Sequence, residues 1–152
     1  MGKFVRNVLF ICKHNSARSQ MAEALMNTMA PDKFHAESAG MVTSNSLNPL
    51  AIEAMSEIGI DISGQLTKKV VDVFKDTFNL FIQGRSYSFI ITVCDEATAE
   101  KCPVFPGKAR RVHWSLPDPA TFEGSEEDKM AKIREVRDVL REIIRSFIEE
   151  NS

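Results

Sequence analysis

Long apolar runs, paired cysteines and an excess of charge of either sign are all missing from this sequence, and each absence excludes something. Lys3 and Arg6 precede the apolar stretch Val8-Leu9-Phe10-Ile11, which is far too short for a signal peptide or a membrane span. Arg6 also stands where an N-myristoylation signal needs Ser or Thr. Nothing here directs export, so a cytoplasmic protein with no membrane partner is expected. The net charge of -2 gives no hint of nucleic acid as a partner. The three cysteines are an odd number, which argues against a secreted disulfide framework and for thiol chemistry in a reducing cytosol. No C-x-x-C occurs and the three histidines are widely spaced, so no metal site is expected. No internal repeat or low-complexity segment interrupts the chain.

What is present is ordinary material for one domain spanning residues 1–152. Hydrophobic residues make up 43% of the chain and charged ones 26%, enough to build and cover a real core. No cofactor and a monomeric state are expected.

The most informative stretch runs from Val8 to Ser19. Val8-Leu9-Phe10-Ile11 reads as a strand covered on both faces in a parallel sheet. Cys12 follows at once, then Lys13-His14-Asn15-Ser16-Ala17, then Arg18 and Ser19. From there Met21, Ala22, Leu25 and Met29 repeat at helical spacing until Pro31 stops them. A thiol thus sits where a strand ends, and a helix begins at an arginine five loop residues later. Backbone N–H groups of such a loop can converge on one anion, and the helix N-terminus adds partial positive charge. Arg18 supplies a planar, two-pronged donor for a tetrahedral oxyanion. The same field favours the thiolate of Cys12, the reactive form, and Ser19 can donate a further hydrogen bond to it. A lone Cys is more often a small buried hydrophobe. Here the strand before, the polar loop and the helix after make the oxyanion cradle the stronger reading.

Further along, His35 to Gly40 reads as a second strand ending at a glycine turn. Asn48-Pro49 gives a cap and a first-turn proline for a helix through Leu50, Ala51, Ala54, Met55 and Ile58, closed by Gly59. Val70 to Phe78 reads as another helix, and Asn79 to Ser88 as an irregular loop or the end of that helix. Phe89 to Val93 is a strongly apolar strand and Arg111 to Trp114 a shorter fourth one. Glu126 to Glu149 forms the longest helix, with Met130, Ile133, Val136, Leu140, Ile143, Ile144, Phe147 and Ile148 on one stripe. Strands alternating with helices predict an α/β sandwich with a mostly parallel sheet. Its ligands bind beyond the carboxyl ends of the strands. Cys94 follows the third strand as Cys12 follows the first. In a strand order 2-1-3-4 those two strands are neighbours about 5 Å apart.

Cys94 and Cys102 are either two ordinary cysteines or a working dithiol. The second reading carries a geometric demand. If the residues between them are helical, eight steps put the two Cα atoms about 12 Å apart, whereas a disulfide needs roughly 5.5 Å. A redox cycle here must therefore move the backbone, with the segment ordered when reduced and rearranged when oxidised. Asp118, between Pro117 and Pro119, is either a turn former or a carboxyl that protonates a leaving oxygen.

Cys12-Lys13-His14-Asn15-Ser16-Ala17-Arg18-Ser19 resembles the phosphate loop, C-x5-R-S, of low-molecular-weight protein tyrosine phosphatases. Adding Gln20-Met21-Ala22-Glu23-Ala24, Cys94 with Cys102-Pro103, His113-Trp114 and Asp118-Pro119-Ala120, the chain is similar to arsenate reductases of the thioredoxin-coupled type from about residue 6 to about 148. The resemblance implies a flavodoxin-like three-layer sandwich, a four-stranded parallel sheet in order 2-1-3-4 with helices on both faces. It implies arsenate as substrate, with phosphate or sulfate as analogues, and thioredoxin as reductant. The loop residues Lys13, His14, Asn15, Ser16, Ala17, Arg18 and Ser19 would bind the oxyanion. Cys12 would attack arsenic, with Asp118 as proton donor, and Cys94 and Cys102 would carry the oxidation outward.

Three departures bear on this. The family loop often has Gly where His14 stands, and His tolerates a positive φ better than most residues. A second loop cysteine is replaced by Ala17. Some relatives hold a potassium ion through groups that fall at Asn15, Glu23, Leu66 and Lys68; leucine and lysine cannot ligate a cation, so the Lys68 ammonium is expected in its place. The main alternative is a phosphatase of the same scaffold, in which Cys94 and Cys102 would be surplus. Ala120-Thr121, rather than an aromatic residue, directly follow Asp118-Pro119, which weakens it.

Overall fold

A computed structural model describes residues 5–40, 46–67, 87–94 and 109–151. Its elements are β1 (Arg6–Cys12), α1 (Arg18–Met29), β2 (Phe34–Gly40), α2 (Pro49–Ser56), β3 (Tyr87–Cys94), β4 (Arg110–Ser115), a 3-10 turn (Pro119–Thr121) and α3 (Glu126–Glu150). The four strands form one parallel sheet in the order β2-β1-β3-β4. That is the α/β architecture and strand order expected. The helix expected over Val70–Phe78 lies outside the described residues, as does the segment between Cys94 and Cys102.

β1 is one of the two inner strands, and its apolar run alternates between two buried faces. Val8 and Phe10 join Phe34 and Ala36 of β2 and Phe89, Ile91 and Val93 of β3 on one face. There α1 contributes Met21, Ala22, Leu25 and Met26, and α3 contributes Ile133, Val136, Leu140, Ile144 and Phe147. Phe147 is wedged among Phe34, Phe89 and Trp114, with ring centroids 5.7, 4.9 and 5.9 Å away. The guanidinium of Arg6 closes the N-terminal end of this cluster, 5.1 Å from the Phe34 ring centre and 5.5 Å from that of Phe89. Leu9, Ile11, Ala39, Tyr87 and Ile90 make a second buried group on the other face. Burial of both faces explains why the strand reads as a continuous run instead of an alternation.

β3 starts earlier than expected. Tyr87 and Ser88, placed by sequence in an irregular stretch, belong to the strand. Tyr87 pairs with Asn7, and a register shift between Asn7 and Val8 then sets Val8 beside Phe89. The Tyr87 hydroxyl donates to Glu37 of β2. Cross-sheet pairing, which no local propensity reports, recruits these two residues.

The helix ends follow their sequence signals. Asn48 caps α2 through Leu50 N (2.9 Å), with Pro49 in the first turn, and Gly59 (φ 81) lies in the turn that follows. Ser125 and Asp128 form a reciprocal capping box on α3, each side chain 3.1 Å from the other's backbone N–H. The apolar stripe of α3 is buried at Met130, Ile133, Val136, Leu140, Ile144 and Phe147, while Ile143 and Ile148 are half-buried. Arg137 shares that buried side. Its Nη1 donates to Ala54 O and Glu57 Oε1, both at 2.8 Å, so α3 is tied to α2 through a buried charge.

Candidate active site

Cys12 is the last residue of β1 and Arg18 the first of α1, so the loop between them stands at the carboxyl edge of the sheet. The Cys12 sulfur is buried. It accepts a hydrogen bond from Asn15 N at 3.1 Å and lies 2.9 Å from Ser19 Oγ. Both groups can donate a hydrogen bond to it. Asn15 Nδ2 in turn donates to Ser19 Oγ at 2.8 Å. Asn15 takes a left-handed backbone (φ 54), and it is the one described non-glycine residue with a positive φ. The loop therefore reverses at Asn15 and not at His14, where sequence comparison suggested it. Asn is among the few residues that occupy this region readily.

The reversal brings the loop down onto β2. Gly40 pairs with Cys12 in the sheet, and a Cβ at Gly40 would come within 2.8 Å of both Asn15 N and His14 C. Only glycine fits beneath the loop. Its far side is tied to α2 by Asn48 N donating to Ser16 O at 2.9 Å. Ala17, the N-cap of α1, makes no side-chain cap hydrogen bond among the described residues, which leaves a helix N-terminus of the kind that favours anions.

Arg18 is the largest fully buried side chain among the described residues. Its Nη1 donates to Leu116 O at 3.2 Å, and its Nη2 lies 3.6 Å from Asp118 Oδ1. Asp118 also accepts from Ala120 N at 3.0 Å, capping the 3-10 turn. Asp118 is thus a turn former, and the turn it forms holds its carboxylate beside the arginine. Lys13 is exposed, His14 and Ser16 are half-buried, and Asn15, Ala17 and Ser19 are buried.

The chain matches the family described as low molecular weight phosphotyrosine protein phosphatase over residues 7–151. It belongs to that family. Among its relatives is the arsenate reductase of Bacillus licheniformis, 40% identical over 144 residues that cover 95% of this chain and 96% of that one. Among solved structures, an arsenate reductase in the phosphate binding state superposes with a TM-score of 0.74 at 30% identity, covering 97% of this chain and 100% of the other. A thioredoxin-dependent arsenate reductase of Corynebacterium glutamicum superposes with a TM-score of 0.69 at 29% identity, covering 99% of this chain and 63% of that one.

Of the site residues expected for a member of this phosphatase family, Cys12, the loop, Arg18 and Asp118 come together. Cys94 ends the strand adjacent to β1, with its backbone paired to Ser115 of β4. Cys102 and Lys68 lie outside the described residues. Leu66, set aside as unable to ligate a cation, has a carbonyl oxygen that accepts from Gln20 Nε2 at 2.9 Å. Sequence reasoning assigned no role to Gln20, although a fully buried glutamine in a first helical turn must satisfy its amide somewhere. Nor did it anticipate Gly40 beneath the loop or Gln65 beside Gln20. These are contacts between distant parts of the chain.

Proposed function

We propose that this protein reduces arsenate to arsenite through a relay of three thiols, Cys12, Cys94 and Cys102, with thioredoxin as the final reductant. The observation that carries the reading is the buried Cys12 sulfur, held by Asn15 N and Ser19 Oγ in a loop that also presents Arg18. Relatives with that fold along nearly their whole length are named arsenate reductases.

Arsenate has the shape and charge of phosphate, so the loop from Lys13 to Ser19 binds it and the Arg18 guanidinium clamps two of its oxygens. The Cys12 thiolate attacks arsenic, and one arsenate oxygen leaves as water after protonation by Asp118. The Cys94 thiolate then attacks the Cys12 sulfur. The S–As bond breaks, its electron pair stays with arsenic, arsenite departs, and a Cys12–Cys94 disulfide remains. The Cys102 thiolate attacks Cys94 next, which frees Cys12 and leaves a Cys94–Cys102 disulfide for a dithiol reductant. That Cys12 and Cys94 end neighbouring parallel strands supports the second step. Thioredoxin as reductant draws on the thioredoxin-dependent relative. A monomer suffices for every step, and the reduced thiols call for a reducing compartment such as the cytoplasm.

The test is arsenate-dependent NADPH oxidation with thioredoxin and thioredoxin reductase. Wild type turns over, Cys12→Ser is inactive, and Cys102→Ser releases at most one arsenite per protein and stops as the Cys12–Cys94 disulfide. Sustained turnover by Cys102→Ser, or phosphomonoester hydrolysis faster than arsenate reduction, overturns the reading. Slow hydrolysis is expected in any case, because the same cradle accepts phosphate.

A further inference from the structure

The carboxyl of Asp118 is held by one of its two oxygens. Oδ1 accepts from Ala120 N at 3.0 Å and lies 3.6 Å from Arg18 Nη2. Oδ2 has no hydrogen-bond partner among the described residues and is not sealed from solvent. A carboxyl that donates carries its proton on a single oxygen. One that already accepts from an N–H and faces a guanidinium is the poorer place for it, so Oδ2 is the atom that can deliver it. Whatever fixes Oδ1 therefore aims Oδ2, and the turn from Asp118 to Thr121 fixes Oδ1.

That turn is drawn tight at one carbonyl. Asp118 O accepts from Thr121 N at 3.0 Å and from Thr121 Oγ1 at 2.7 Å. Pro119 presets one φ, and Phe122 N donates to Pro119 O at 3.2 Å. Phe122 is half-buried, with the Lys132 ammonium of α3 lying 5.7 Å from its ring centre, so the far end of the turn is seated on that helix. Thr121 is exposed and fills no core space. Its hydroxyl nevertheless makes the shortest of these bonds, to the backbone of the residue whose carboxyl must be aimed.

We propose that Thr121 is a positioning residue that keeps the Ala120 N–H on Asp118 Oδ1 and so leaves Oδ2 as the proton-delivering oxygen. As the Cys12 sulfur bonds to arsenic, a hydroxyl of arsenate leaves with the electron pair of its As–O bond. The Oδ2 proton joins it, water departs, and Asp118 is left as a carboxylate beside Arg18. Without the Thr121 hydroxyl, Asp118 O keeps only the Thr121 N–H, and the turn holds the carboxyl less firmly. Proton delivery suffers first, because it depends on where a single oxygen points. Anion binding and the sulfur itself are untouched, since Thr121 has no described bond to the loop from Cys12 to Ser19.

The inference rests on Asp118 being the proton donor, and the test follows the first arsenite released by the reduced full chain at saturating arsenate. Thr121→Val slows that release about three- to tenfold, the range that one net hydrogen bond spans. Thr121→Ser, which restores the hydroxyl, returns it to within about twofold of wild type. In an Asp118→Asn background Thr121→Val adds nothing, because it acts through that carboxyl. Iodoacetamide labelling of Cys12, and its protection by inorganic phosphate, stay at wild-type values in Thr121→Val. Hydrolysis of two phosphate esters gives a second readout. Phenyl phosphate, whose leaving oxygen needs a proton, is slowed more by Thr121→Val than 4-nitrophenyl phosphate, whose leaving oxygen departs readily without one. An unchanged rate in Thr121→Val, losses that multiply with Asp118→Asn, equal slowing of the two esters, or altered Cys12 labelling each overturn the proposal. A wild-type rate in Asp118→Asn alone is a different failure, for it removes the donor that Thr121 would position. A protein that releases no arsenite would refute the reductase reading instead, and the ester pair would still decide the role of Thr121.

Discussion

Arg18 and Arg137 are both almost wholly buried, at 2% and 8% exposure, yet their surroundings follow opposite plans. Arg137 is gripped closely: Ala54 O and Glu57 Oε1 at 2.8 Å, Asp138 Oδ1 at 2.9 Å. Glu57 is in turn held by two nitrogens of Arg134, the shorter contact being 2.7 Å. Arg18 meets Leu116 O at 3.2 Å and Asp118 at 3.6 Å, and Asp118 divides its attention with Ala120 N. A buried cation with short, complementary partners fastens two helices together. The two contacts described for Arg18 both reach the segment after β4, which sets its guanidinium at the loop proposed to receive an oxyanion.

That difference can be broken from either end. The largest effect is expected for Arg18→Lys, which keeps the charge but loses the planar fork. Arsenate kcat/KM should fall roughly 100- to 1,000-fold, the cost of one misplaced transition-state donor, with the thermal midpoint within a few degrees of wild type. A loss below tenfold would make Arg18 a second structural arginine. Arg137→Met should do the reverse. Denaturant unfolding should report a loss of about 1–3 kcal/mol, because Ala54 O loses its buried donor, while kcat at saturating arsenate stays at the wild-type value. Activity lost without stability would erase the distinction.

The smallest effect sharpens the structural side. The hydrogen bond from Arg134 is the main cause that holds Glu57 down from 4.5 to about 2; desolvation, next in size, opposes it, and the hydrogen bond from Arg137 and the charges of both arginines add to the lowering. A carboxyl whose folded-state pKa is depressed contributes stability that is fully present above the unfolded value and lost as pH falls through the folded one. This contribution should fade between about pH 4.5 and about 2. Glu57→Gln should flatten that part of the acid dependence when thermal midpoints are compared from pH 5 to pH 2. As the pair lies at the surface, the change is small and salt-sensitive. Identical acid profiles for the two proteins would mean that the pair contributes nothing.

Much of this was legible in the sequence because it is local. The run Val8–Ile11, the thiol after it, the loop and the helix from Arg18 to Met29 all occur within one strand-loop-helix unit. Each residue there announces itself by its neighbours. The strand order followed from alternation of strands and helices together with the family likeness. What could not be read was the work of distant residues. Gly40 lies under the loop because β2 pairs with β1 in register. The left-handed residue is Asn15 and not His14 because the turn of the loop is decided by what it rests on and what it must reach. Arg137 broke the apolar stripe of α3 without warning, since its partners Ala54 and Glu57 belong to α2 and its trailing turn. Tyr87 joined β3 through pairing with Asn7. The capping box of α3 is a different case, because Ser125-Glu126-Glu127-Asp128 carries the pattern openly.

The fit of Gly40 beneath Asn15 makes the pocket an inspector of the sheet. Were β2 to slide by one residue against β1, a neighbour with a Cβ, such as Ala39, would arrive under the loop, and every β2 side chain would change faces. The cradle could not then close over it. A misaligned sheet is thereby also an inert one, so correct assembly and competence arrive together.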